Sequence, residues 1–179
     1  MWKISKFILF VLSIVAWEVA IRPFLPSIWS NLNLSLIVLI IIGFVYSVEL
    51  ATVNALFFGF LFDLYSVLPF GTILLTYGLT FFLLNRLFYK FLTNKSLYSF
   101  IGMTGLVTLL FSSWQYCYLI IHFFYNKKED ILWTEFSRQF AVGFLWQLGL
   151  NCLFGLFFFV LLNYFSRRFK AVYIDTIKN

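Results

Sequence analysis

An all-α membrane protein of six transmembrane helices is the fold class this sequence predicts, and three observations predict it. Of the 179 residues, 63% are hydrophobic and 11% are charged, where a soluble domain carries roughly 25% charged residues to coat its surface. The mean hydropathy is +0.95. Apolar runs long enough to cross about 30 Å of hydrocarbon as helices consume most of the chain and leave only short connections. Residues 1–179 therefore read as a single integral membrane domain with no soluble domain of its own.

The first span is expected over 4–21. It follows Lys3 and Lys6, contains Trp17 and Glu18 where a signal peptide would end in small residues, and is read as a retained helix. Arg22, Pro23 and Pro26 stop it, because proline removes a backbone donor and restricts the residue before it; Trp29 suits an interfacial loop. The stretch 32–64 is too long for one span, and its only interior charge before Asp63 is Glu49. It is divided into spans at 32–48 and 50–64, joined by a tight turn around Ser47 and Glu49. A fourth span covers 70–88, after Pro69, and ends in the basic residues Arg86, Lys90 and Lys95, and a fifth covers 97–124. The polar stretch 126–138, with Lys127, Lys128, Glu129, Asp130, Glu135 and Arg138 around Trp133, suits a short interfacial helix. A sixth span at 140–165 ends in Arg167, Arg168 and Lys170.

The charge distribution orients the bundle. With six spans and an inside N-terminus, Lys3, Lys6, Arg86, Lys90, Lys95, Arg167, Arg168, Lys170 and Lys178 fall on one side, leaving only Arg22, Lys127, Lys128 and Arg138 on the other. Positive residues near span ends are retained in the cytoplasm, so both termini are expected there. A single span over 32–64 would put the two basic clusters on opposite sides, which argues for the division.

The same pattern narrows the function classes. The net charge of +6 lies beside apolar runs, where it serves topology and anionic headgroups rather than nucleic acid. Cys117 and Cys152 sit inside apolar runs and form no CxxC or disulfide framework. One histidine, no HExxH, no closely paired carboxylates and no phosphate loop leave no enzyme constellation, metal site or cofactor to assemble. Of the ionisable residues in the apolar runs, Glu18, Glu49 and His122 lie near expected span ends and read as wetted interfacial side chains. Glu18 and Arg22 are close enough to pair on one helical face.

Asp63 stands in a denser setting. Gly59 and Asp63 share a helix face at i, i+4, so another backbone can approach beside the carboxylate, and Ser66, Pro69 and Gly71 permit a sharp re-entry into the next span. A capped hairpin of purely structural value and a functional site both fit these residues. On the later helices, Gln147 and Asn151 lie at i, i+4, and Ser112 and Gln115 lie near each other, so two polar faces could meet inside the bundle as interhelical glue or as a ligand site. Gly59, Gly71, Gly78, Gly102 and Gly105 are the expected points of close helix approach.

The stretch from Gly59 to Gly71, GFLFDLYSVLPFG, followed by an apolar helix and a basic end, resembles the characteristic segment of the MreD family of bacterial rod-shape-determining membrane proteins. The matching positions are Gly59, Asp63, Leu64, Ser66 and Gly71; the likeness is specific over this stretch and architectural elsewhere. Glu49 stands where the family more often has an Arg-containing turn, and phenylalanine is unusually abundant. The resemblance implies a six-helix bundle like the substrate-binding subunits of energy-coupling-factor transporters. It also implies a non-enzymatic scaffold in the bacterial inner membrane, partnered by MreC, MreB, RodA and a transpeptidase. Partner binding would fall to the Asp63 hairpin, Gly59, Asp63, Leu64, Ser66, Pro69 and Gly71, and to lipid-exposed helix faces. The fold kinship supplies the rival expectation, a small-molecule-binding subunit of a membrane transporter.

Overall fold

The computed structural model describes residues 11–91, 97–125 and 133–165, and within them every regular element is helical. Residues 11–16 are the described α-helical part of the first helix, α1. It widens into a π-helical turn at Trp17–Ile21, tightens into a 3₁₀ turn at Arg22–Phe24, and is followed by a second 3₁₀ turn at Trp29–Asn31. Then come α2 (Leu34–Val45), α3 (Val48–Tyr65), α4 (Thr72–Phe91), α5 (Leu97–Tyr125) and α6 (Trp133–Phe165). Three segments are long and apolar enough to cross a membrane: Val48–Tyr65, Leu97–Ile121 and Ser137–Leu161. Leu34–Val45 and Thr72–Leu87 are shorter apolar helices. The chain is thus an all-helical protein with the helix lengths of a membrane protein.

The long apolar run breaks into α2 and α3 at Tyr46 and Ser47. Ser47 is extended and its Oγ accepts the Leu50 amide at 3.2 Å, capping α3 with Glu49 in the first turn, where a carboxylate is favoured by the helix dipole. Two boundaries differ from expectation. Helix α2 ends at Val45 and has 12 residues, about 18 Å at the α-helical rise, which is shorter than the hydrocarbon thickness. Helix α6 begins at Trp133, so the described part of the polar stretch, 133–138, belongs to the same helix as the apolar segment instead of forming a separate interfacial one. Residues 126–132 and the basic residues Lys3, Lys6, Lys95, Arg167, Arg168, Lys170 and Lys178 lie outside the described residues.

The interior combines large apolar side chains with small and polar ones, and many other large apolar side chains face out. On α3 the buried positions are Val48, Ala51, Ala55, Phe58, Gly59 and Asp63, at i, i+3/i+4 spacing, while Val53, Phe57, Phe60 and Leu64 are exposed. On α5 the buried series Phe100, Met103, Thr104, Val107, Thr108, Phe111 and Ser112 is one continuous stripe. Lipid gives no hydrophobic drive between helices, so close approach and hydrogen bonds must hold them. Helices α3 and α4 meet most closely: a Cβ on Gly59 would lie 2.8 Å from the Leu74 Cα, and one on Gly78 would lie 2.9 Å from Leu56 Cδ2. Gly71, Gly102 and Gly105, expected to be close-approach points, have nothing within 4 Å, whereas Gly43 and Gly155 would meet Met103 and Phe100 at 3.1 and 3.3 Å. Phe44, Phe100 and Phe159 fill the centre of α2, α5 and α6 with ring centroids 5.0–5.8 Å apart.

Candidate functional site

Two carboxylates organise the polar interior, and each sits at the start of a later helix. Asp63, near the C-terminus of α3, is 4% exposed. Its Oδ1 accepts the Ile73 amide at 2.9 Å, and its Oδ2 accepts the amides of Gly71 at 3.0 Å and Leu74 at 2.9 Å. Helix N-termini leave backbone donors unpaired and carry partial positive charge, so one carboxylate satisfies three donors and complements the dipole. The loop sequence makes this reach feasible. Ser66 Oγ accepts the Leu68 amide at 2.9 Å, Thr72 turns back onto the Pro69 carbonyl, and Gly71 takes φ +97°, a left-handed conformation that favours glycine. Leu64 points outward at 57% exposure.

Glu18 plays the corresponding part for α2. Its Oε1 accepts the Ser35 amide at 3.1 Å, and its Oε2 accepts from Arg22 Nη1 at 2.8 Å, while Arg22 Nε donates to the Ser30 carbonyl at 2.6 Å. Expected to be wetted, Glu18 is instead 8% exposed, because the π turn carries it inward against the next helix. The side chain of His122 lies outside the described residues, and Glu49 is exposed.

Asn33 joins this cluster to the later helices. Its Oδ1 caps α2 by accepting the Leu36 amide at 3.1 Å and the Ser35 hydroxyl at 2.7 Å. Ser35 Oγ in turn lies 2.6 Å from Tyr77 Oη on α4. The Asn33 amide donates to Asn151 Oδ1 at 3.2 Å, and Asn151 Nδ2 donates to Thr108 Oγ1 at 3.2 Å. Ser112 donates to Gln147 Oε1 at 3.0 Å, a second link between α5 and α6. Gln115 does not join these contacts; it is exposed and lines two cavities. Asn33 thus meets the interior of α6, and it is buried together with Leu32, whereas residues 22–31 are half-buried or exposed.

A cavity of about 280 Å³ opens between the two carboxylate-capped helix starts, bordered by Glu18, Arg22, Asn33, Tyr65, Ser66 and Tyr77, with Phe62 and Phe111 as apolar walls. A second, of about 560 Å³, lies between Ser27–Asn31 and the first turns of α6, beside Arg138 and Trp146. Compared with protein-family models, with curated proteins and with solved structures, the chain matches none.

Among the described residues no group of three His, Cys, Asp or Glu side chains is placed to hold a metal ion, and Cys117 and Cys152 are free thiols. The sequence singled out Asp63, Gln147 and Asn151 from residue type and spacing. It missed the roles of Asn33, Ser35, Tyr77 and Thr108. The signal available was the sequence Asn33-Leu34-Ser35, a capping residue ahead of an apolar run, which was absorbed into the second span.

Proposed function

We propose that this chain is a non-enzymatic, multi-pass scaffold subunit of a membrane complex, with six spans and both termini in the cytoplasm, serving bacterial cell elongation in the manner of the MreD proteins it resembles. The observation that carries the reading is the commitment of the Asp63 carboxylate to the backbone amides of Gly71, just before α4, and of Ile73 and Leu74 in its first turn. A carboxylate so engaged ties α3 to the start of α4 as a hairpin. The hairpin is built from the stretch GFLFDLYSVLPFG that carries the resemblance, and beside it α3 presents the exposed apolar row Val53, Phe57, Phe60 and Leu64. Rigid helices with a defined outer face suit docking of a partner's membrane helix, as MreC-like and RodA-like partners would supply. The positive-inside count supports six spans.

Replacement of Asp63 by Ala in the native host tests the reading. The expected result is loss of rod shape and of an MreC-like partner on purification, with the protein still inserted in the membrane. Normal shape and normal partner recovery would overturn it. The 280 Å³ cavity favours one second reading, a small-molecule-binding subunit of a transporter, which would instead co-purify with an energising ATPase pair.

A further inference from the structure

The cavity beside Glu18 has hydrogen-bond donors without partners but no net charge to offer. We infer from this imbalance that it binds a small uncharged molecule that carries a carbonyl oxygen on an aromatic or short apolar body. Asn33 is 3% exposed and lines the cavity. Its Oδ1 is held by the Leu36 amide and the Ser35 hydroxyl, which fixes the orientation of the side-chain amide, since the reverse assignment would point donors at the Leu36 donor. Its Nδ2 then has no partner among the described residues. Arg22 also lines the cavity; its Nε and Nη1 are engaged by Ser30 and Glu18, and its Nη2 is not. The Asn33 donor asks for an acceptor, and Arg22, whose side chain is 32% exposed, offers a second donor beside it.

The charge balance decides which acceptor. The Arg22 guanidinium lies 2.8 Å from the Glu18 carboxylate, so the pair is neutral overall. An anion would meet the Glu18 carboxylate beside the donors, and a cation would meet Arg22. A hydrocarbon would leave both donors unpaired. A neutral carbonyl oxygen satisfies them without either conflict. The wall suits a flat body: Phe62 stacks on Tyr77 with centroids 5.8 Å apart, and Tyr77 meets Phe111 edge-on at 4.9 Å. About 280 Å³ is at the small end of ligand pockets. Such a site suits a scaffold as well as a transporter subunit, because it depends only on what the cavity's atoms can hold.

The test uses the full chain in lipid nanodiscs, with empty nanodiscs as the blank, and three probes followed by ligand-observed NMR: benzamide, benzoate and ethylbenzene. Benzamide is expected to bind saturably, and the other two about tenfold more weakly or less, the equivalent of about 1.4 kcal/mol. Asn33→Asp keeps an acceptor for Leu36 and Ser35 and removes the donor, so it should weaken benzamide about tenfold. Val19→Trp fills the cavity from its exposed edge on α1 and leaves the hydrogen bonds intact, so it should abolish saturable benzamide binding even if Asn33→Asp does not fold. Absence of saturable benzamide binding, equal binding of ethylbenzene, tighter binding of benzoate, or unchanged binding in a folded Val19→Trp protein would each overturn the assignment.

Discussion

The Leu74 Cα occupies the place where a side chain on Gly59 would begin, 2.8 Å from an added Cβ, and the amide of the same Leu74 donates to Asp63 at 2.9 Å. The two facts are linked. Gly59 lies one helical turn before Asp63, so the missing side chain lets the α4 backbone come near enough for the carboxylate to reach it. Gly59→Ala should therefore lower thermal stability in detergent by roughly 1–3 kcal/mol, the range of overpacking. Gly102→Ala, where nothing lies within 4 Å, should be neutral or slightly stabilising. Thermal melts of both variants by size-exclusion chromatography check this.

Asp63→Asn keeps one acceptor oxygen and loses the charge, while Asp63→Ala leaves three amides without a partner. The order of stability should be wild type, then Asn, then Ala, with Ala down by about 2–4 kcal/mol. Equal melting temperatures for the Ala variant and the wild type would contradict the cap.

The order of importance within the aromatic wall is also fixed. Tyr77→Phe removes the hydroxyl that bonds Ser35 and should cost about 0.5–1.5 kcal/mol. Tyr77→Ala removes a ring packed on Phe62 and Phe111 and should cost about 3–5 kcal/mol, as for other large aromatic truncations.

Much of this fold was legible in the sequence, for a physical reason. Apolar length locates helices without any knowledge of partners, and the turn at Ser47 announces itself through the surfeit of apolar residues and Glu49. Depth was harder to read. Glu18 stands near the end of an apolar run, which suggests a wetted side chain; its burial depends on a π turn and on its contact with the start of α2, which hydropathy does not announce. Asn33 and Ser35 were hidden inside a run that hydropathy alone treats as uniform. Gly102 and Gly105 show the converse, since a small residue permits close approach but does not say whether a neighbour is there.

The links between α5 and α6 should be individually modest. A double-mutant cycle on Ser112 and Gln147, bonded at 3.0 Å, is expected to give a coupling of about 0.6 kcal/mol and no more than about 1.7 kcal/mol. Zero coupling would contradict the bond.

Purification of the chain from its native host in gentle detergent or nanodiscs, followed by mass spectrometry of what travels with it, tests the scaffold reading most directly. Recovery of an MreC-like protein together with wall-synthesis enzymes is the predicted result. Recovery of an ATPase pair, with no wall-synthesis partner, would contradict it.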